Sequence, residues 1–165
     1  MKVLLNLRPL WAKYFLYGYN SSSIFSLNQT VYETFSKFIN QNSEVDFHFV
    51  PFNTDSFGMS DIDCALRIND QVSGDNFKIE YAEMNFTRMH SYLRISKFDM
   101  AFCMRLHACV FSHFLDIKTV GIEYSDHFGK VAQFCDEFGV ECTNSIQDLN
   151  LKYLEKMLND HLSST

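Results

Sequence analysis

Two arginines and a histidine follow apolar runs in this chain. Arg8 comes directly after the run at residues 3–7, and Arg105 comes after the run at 99–104, with His107 two residues further on. An arginine fork suits carboxylates and phosphates, and an imidazole titrates near neutral pH, which suits proton transfer. These residues predict a small-anion site with a proton donor. Taken singly, each arginine also fits a solvated loop charge, and His107 also fits a capping or core histidine.

Apolar periodicity predicts the elements that position these residues. Short apolar runs that indicate strands alternate with stretches of three- and four-residue periodicity that indicate helices. We predict strands at 3–7, 45–52, 77–81, 99–104, 119–122 and 140–142, and helices at 28–39, 60–72, 85–96, 108–115, 130–138 and 146–162. This alternation predicts a Rossmann-like α/β three-layer sandwich with a mainly parallel sheet, and it places ligands beyond the carboxyl ends of the strands.

The stretch at residues 11–27 lacks a clean period and predicts a loop, with Asn28 as the N-cap of the first helix. The loop contains Tyr14, Tyr17 and Tyr19, which suit either a sugar-stacking surface or a contact with a second domain. We find no internal repeat or other linker, so residues 1–165 are predicted to form a single domain.

Composition excludes several classes of protein. The 165 residues are 47% hydrophobic and 16% aromatic, which favours a folded domain over a disordered chain. A formal charge of -6 and a pI near 5.4 do not favour a nucleic-acid partner. We expect no transmembrane segment, because no apolar run approaches 18 residues.

The five cysteines include no Cys-x-x-Cys pair, and the other five histidines have no metal-ligand spacing, so no disulfide framework and no metal site are predicted. The N-terminus lacks the apolar stretch and cleavage pattern of a secretory signal. We therefore expect a cytoplasmic location. Peripheral contact of the protein with the inner face of the membrane is compatible with this location.

One longer pattern makes the prediction more specific. The stretch Phe-Asp-Met-Ala-Phe-Cys-Met-Arg-Leu-His-Ala at 98–108 is followed by Ile-Lys-Thr-Val-Gly-Ile-Glu-Tyr at 117–124 and then by Lys130. This order resembles polysaccharide pyruvyl transferases, which show an Asp, an apolar strand, Met-Arg-Leu-His-Ala, an apolar helix, a second apolar strand, a Tyr and a Lys. Asn6-Leu7-Arg8-Pro9 is similar to the start of their C-terminal domain. The spacing of Tyr124 and Lys130 is longer than usual in that family.

The resemblance implies a function in exopolysaccharide biosynthesis. The donor would be phosphoenolpyruvate and the acceptor a glycan hydroxyl pair, joined as a pyruvate ketal without a cofactor. His107 and Arg105 would be catalytic. Substrate binding would fall to Arg8, Arg105, Leu106, Tyr124 and Lys130. Family members resemble two-domain enzymes of the glycosyltransferase-B type, so this chain would supply one wall of the cleft, with a separate N-terminal half or a second copy supplying the other.

Two other functions remain open from the sequence. A nucleotide-sugar glycosyltransferase domain of the same architecture would place the arginine and the lysine on a diphosphate. A non-catalytic remnant or subunit would instead use its aromatic loop and an uncovered face to dock on another chain. Binding of a nucleotide sugar but not phosphoenolpyruvate would favour the first of these.

Overall fold

The computed structural model describes residues 1–11, 20–54, 60–81, 86–125 and 129–164. These residues form alternating strands and helices, as the periodicity predicts. In chain order the elements are β1 (Lys2–Asn6), α1 (Ser21–Gln41), β2 (Asp46–Phe49), α2 (Asp61–Asn69), β3 (Phe77–Ile79), α3 (Phe86–Ser96), β4 (Met100–Cys103), α4 (Leu106–Phe114), β5 (Lys118–Gly121), α5 (Lys130–Phe138), β6 (Glu141–Cys142) and α6 (Leu151–Leu162).

The six strands form one sheet in the order β3-β2-β1-β4-β5-β6, and every adjacent pair is parallel. Helices α1, α2 and α6 pack on one face, and α3, α4 and α5 pack on the other. The predicted Rossmann-like three-layer α/β fold is therefore confirmed. The chain reverses its direction of winding between β1 and β4, which places a crevice at the carboxyl ends of these two strands.

The central strands are hidden on both faces. All four residues of β4 are buried, and so are the last four of β1, which explains why these eight residues are apolar except for Asn6. Under α1, the ring of Phe38 packs edge-on against Phe47 at 5.4 Å and against Phe102 at 5.7 Å. Each such pair contributes about 0.5–1.5 kcal/mol beyond burial of its area. This packing holds α1 against β2 and β4.

The predicted N-cap of the first helix was wrong by eight residues. Helix α1 begins at Ser21 and not after Asn28, because Asn20 caps it by accepting a hydrogen bond from the Ser23 backbone N–H at 2.9 Å. Asn28 lies inside the helix and pairs with both backbone groups of Leu10. Residues 12–19, with the three tyrosines of the predicted loop, lie outside the described residues.

Two other boundaries differ from the prediction. Helix α4 begins at Leu106, so His107 is its second residue and does not lie in the turn before it. The predicted helix at 146–162 is divided into a 3₁₀ turn at Ile146–Asp148 and α6, because Asn150 caps a new helix by accepting from the Tyr153 backbone N–H. None of the described helices combines the length and the hydrophobicity needed to cross a lipid bilayer.

His48 of β2 gives the fold a testable dependence on pH. Burial lowers its pKa below the ordinary 6.5, and the hydrogen bond to Asp46, at 2.9 Å, offsets only part of that shift. Protonation of His48 therefore favours the unfolded chain. Its contribution to stability is present above pH 6.5 and is lost as the pH falls from that value through the lower pKa of the folded state.

We expect the free energy of unfolding to fall by up to about 1 kcal/mol between pH 7 and pH 5.5 because of His48. Urea denaturation at several pH values measures this slope. The His48→Gln variant should flatten the curve, whereas His90→Gln, which changes an exposed histidine on α3, should not. An unchanged slope in His48→Gln would contradict the assignment.

Candidate functional site

The predicted site residues lie around the crevice at the ends of β1 and β4. Arg8 follows β1, and its Nη1 donates a hydrogen bond to the Tyr124 hydroxyl at 3.2 Å. The guanidinium carbon also lies 5.1 Å from the centroid of the Tyr124 ring, within the range of a cation–π interaction. The structure thus brings together two of the residues predicted to bind substrate. Tyr124 follows β5, so the Arg8 side chain reaches over the end of β4.

Arg105 reaches in the opposite direction. It is the N-cap residue of α4, and its Nε donates to Oδ2 of Asp61 at 2.8 Å while its Nη2 donates to Oδ1. Asp61 is the first residue of α2 and is completely buried. Since β1 lies between β2 and β4, the Arg105 side chain spans the end of β1 to reach the segment that follows β2. The two arginines therefore cross over the crevice in opposite directions.

His107 is exposed in the first turn of α4. Its exposed ring packs against the Phe86 ring at the start of α3, with 4.7 Å between the ring centroids. Phe86 also contacts the ring of Phe111. The imidazole is accessible to solvent at the carboxyl edge of the sheet, as proton exchange with a ligand requires. Its neighbour Leu106 is half-buried and packs on the core beneath α4.

Lys130 is the last of the predicted site residues in chain order. It is exposed at the first position of α5, and no described side chain forms an ion pair with it. Among the described residues, no hydrogen bond or ion pair joins Lys130 to Arg8, Arg105 or His107. Its assignment to substrate binding stays a prediction.

A second buried carboxylate organises the segment around Tyr124. Glu123 is 3% exposed, and its Oε1 accepts hydrogen bonds from the backbone N–H groups of Tyr124 and Ser125, both at 2.9 Å. Its Oε2 accepts from the backbone N–H of Ala132 at 3.0 Å, in the first turn of α5. Glu123 thus satisfies the positive end of α5 from within the protein, which leaves that helix end poorly suited to an external anion.

The first turn of α4 differs from that of α5, because no buried carboxylate of this kind accepts hydrogen bonds from its backbone among the described residues. It contains no acidic residue, and Arg105 makes no side-chain hydrogen bond to the helix backbone as its N-cap. The backbone N–H groups of a first helical turn have no partner within the helix, and they carry a partial positive charge. Together with two guanidinium groups at the same edge, this helix end gives the crevice the chemistry of an anion-binding site.

The thiols near the crevice do not suit nucleophilic chemistry. Cys103 and Cys109 are completely buried below the start of α4. Hydrogen bonding with Cys103, together with burial, raises the pKa of the Cys109 thiol well above its ordinary value. A thiol held in this protonated form is a poor nucleophile. Within the described ranges, no group of three or more His, Cys, Asp or Glu side chains is placed to hold a metal ion.

Sequence reasoning missed Asp61 and Glu123, the two buried carboxylates of the site. No local pattern indicates the partners of Asp61, which are a backbone segment and an arginine 44 residues away. The sequence did contain a signal for Glu123, which directly follows an apolar strand. An acidic residue in such a position must find hydrogen-bond donors or a cation if it is buried.

Comparison with known proteins does not identify the chain, since no family model, no curated protein and no solved structure matches it.

Proposed function

We propose that this domain binds phosphoenolpyruvate in the crevice between β1 and β4 and is the donor-side half of a pyruvyl transferase that acts on a glycan. The observation that carries the proposal is the meeting of Arg8, Arg105 and the uncapped first turn of α4 at one edge of the sheet. Phosphoenolpyruvate presents a carboxylate and a phosphate, and these are the groups that such a site recognises.

In the proposed reaction, one glycan hydroxyl adds to the C2 atom of the donor while the terminal CH₂ carbon takes a proton and becomes a methyl group. The second hydroxyl then displaces the phosphate from C2, and its proton leaves with inorganic phosphate. Two C–O bonds form and one breaks, so the product is a pyruvate ketal. His107 is the residue in reach of solvent that delivers or accepts these protons, and the arginines hold the donor's anionic groups.

Calorimetric titration of phosphoenolpyruvate into the full chain tests the donor site. We expect saturable binding that weakens about tenfold in Arg8→Lys, because lysine keeps the charge but loses the planar fork. UDP-glucose serves as the comparison ligand. The matched control is Arg94→Lys, which changes an exposed arginine on α3.

Two outcomes would reject this proposal. If UDP-glucose binds and phosphoenolpyruvate does not, the domain belongs with nucleotide-sugar transferases. If neither ligand binds, the chain does not hold a donor site by itself, and the non-catalytic subunit becomes the better hypothesis.

A surface suited to the acceptor lies beside the crevice. A groove of about 700 Å³ between α1 and α2 exposes the rings of Trp11 and Phe25. Asp63, Arg67 and Gln29 also line it, and no described residue forms a hydrogen bond or ion pair with these three side chains. Aromatic faces beside unpaired planar polar groups suit the apolar face and the hydroxyls of a pyranose ring.

Trp11 is the single tryptophan of the chain, so its fluorescence reports on this groove directly. We expect a saturable change in emission on titration with methyl β-galactoside or methyl α-glucoside, and we expect Phe25→Ala to weaken it at least threefold. Phe138→Ala, an exposed change on α5, is the control. Emission that stays constant up to about 50 mM of both sugars, well above the usual range of substrate constants, would remove this groove from the proposal.

A further inference from the structure

The Asp61 carboxylate is a buried hub of hydrogen bonds near the crevice. Its Oδ2 accepts hydrogen bonds from the backbone N–H groups of Phe52 at 2.9 Å and Asn53 at 3.1 Å, and from Arg105 Nε at 2.8 Å. Its Oδ1 accepts from Arg105 Nη2. Four donors therefore converge on one completely buried carboxylate, which fixes its position relative to β2 and α2.

This arrangement decides which part of Arg105 a ligand can reach. The edge formed by Nε and Nη2 is occupied by Asp61, and the side chain retains only 16% of its exposure. The end-on edge, which is made of Nη1 and the second hydrogen of Nη2, is not used by Asp61. A bound anion would meet that end-on edge.

We propose that Asp61 is the positioning residue of the anion site, because it holds the Arg105 guanidinium across the end of β1 with its end-on edge turned to the ligand. This inference rests on the proposed function of the crevice. Asp61 does not touch the ligand and acts only through Arg105. The backbone donors from Phe52 and Asn53 keep the carboxylate in place, so it does not leave when a ligand arrives.

A positioning role for Asp61 and a simple effect of its charge predict opposite changes in the affinity for an anion. The Asp61→Asn change removes a negative charge near the crevice, which by itself would strengthen the binding of an anion. The same change breaks the two-point contact with Arg105 and frees the guanidinium to rotate. If Asp61 positions Arg105, affinity must fall despite the more positive site.

A double-mutant cycle on phosphoenolpyruvate affinity separates these effects from general loss of structure. The four proteins are the wild type, Asp61→Asn, Arg105→Gln and the double variant, in which two neutral amides replace the buried ion pair. We expect Asp61→Asn to weaken binding about tenfold in the wild type, the effect of one hydrogen bond to a charged group, and by less than twofold in the Arg105→Gln background. Asp160→Asn, which changes an exposed aspartate on α6, is the matched control.

Nuclear magnetic resonance supplies a readout that a purely structural role would not move. The Nε–Hε signal of Arg105, assigned by its absence in Arg105→Gln, should shift on addition of phosphoenolpyruvate in the wild type. In Asp61→Asn the signal should broaden or exchange with solvent before any ligand is added, while backbone signals far from α2 stay in place.

The outcomes are distinguishable from those of the proposed function. Equal or tighter binding by Asp61→Asn, or equal losses in both backgrounds of the cycle, would overturn the role of Asp61 while leaving the donor site intact. If phosphoenolpyruvate fails to bind the wild type, the cycle is repeated with inorganic phosphate and with pyruvate. Binding of either one with the expected coupling would retain Asp61 as a positioning residue and reject the donor. No response of the Arg105 signal to any of the three anions would overturn both proposals.

Discussion

The Arg105→Ala variant is expected to lose about 3 kcal/mol of unfolding free energy, a large effect for a residue at the surface of a crevice. Removing one partner of a buried ion pair leaves the other charge without compensation, which typically costs about 3–5 kcal/mol. Asp61 is completely buried, but it keeps two backbone hydrogen bonds, so the lower end of that range applies. Urea denaturation followed by circular dichroism measures the change.

The control for this prediction is Arg94→Ala on α3. Arg94 is exposed and forms no ion pair with a described residue, so the change should alter stability by less than about 0.5 kcal/mol. A similarly small effect in Arg105→Ala would mean that the pair with Asp61 contributes little. Glutamine and lysine keep a hydrogen-bond donor that can face Asp61, so binding experiments at Arg105 should use them, since alanine confounds lost affinity with lost stability.

The order of strands and helices could be predicted because β4 is wholly apolar and β1 is apolar from Val3 to Leu5. A strand covered on both faces of a parallel sheet requires that pattern, and it needs no information from distant residues. Placement of Arg8 and Arg105 at one edge follows from the same reasoning, since the carboxyl ends of parallel strands share an edge. The coarse position of the site is thus contained in local sequence.

The start of α1 could not be predicted from local preference. Residues 20–23, an Asn followed by three Ser, favour turns on composition alone, yet Asn20 is a good N-cap once a helix follows it. The helix is stabilised from Ile24 onwards by burial against the rest of the fold, and Asn28 is engaged by Leu10. Tertiary contacts decided this boundary, as they commonly do when propensities are weak.

The partners of the two arginines were also beyond local reasoning. Asp61 lies 44 residues before Arg105, and Tyr124 lies 116 residues after Arg8, so no periodic pattern connects them. Sequence supplied the type of side chain and the edge of the sheet. The packing of β2 and α2 on one side, and of β5 on the other, determines where the two side chains go. Each arginine side chain crosses the end of a neighbouring strand to reach its partner and does not extend into solvent.

This crossing gives the arginines two roles that are physically linked. Each guanidinium ties together segments that follow different strands, and each also contributes positive charge to the same crevice. Side chains fixed in this way lose little conformational entropy when a ligand binds, which favours affinity. The cost is that part of their hydrogen-bonding capacity is already used, so the backbone of the first turn of α4 must contribute to the anion site as well.

The second large effect is expected at Glu123, which joins the end of β5 to the start of α5. In Glu123→Gln the side chain keeps its size, but one carboxylate oxygen becomes an NH₂ group. That group must face donors: the backbone N–H groups of Tyr124 and Ser125 on one side, or that of Ala132 on the other. A buried donor without an acceptor, together with the lost charge at the end of α5, should lower the free energy of unfolding by about 2–4 kcal/mol.

Denaturation of Glu123→Gln, compared with Glu137→Gln as a control, tests this expectation, since Glu137 is an exposed glutamate on α5.

Gly129→Ala disturbs the same contact, because Gly129 packs against the Glu123 carboxylate. A Cβ at position 129 would lie 2.6 Å from Oε1 of Glu123 and 2.6 Å from the Ser125 hydroxyl, so that variant should also lose about 1–3 kcal/mol. Because both changes disturb one contact, their combination should cost less than the sum of the single effects. Full additivity would mean that Glu123 and Gly129 stabilise the segment independently, and that the buried carboxylate does not hold Tyr124 in place beside Arg8.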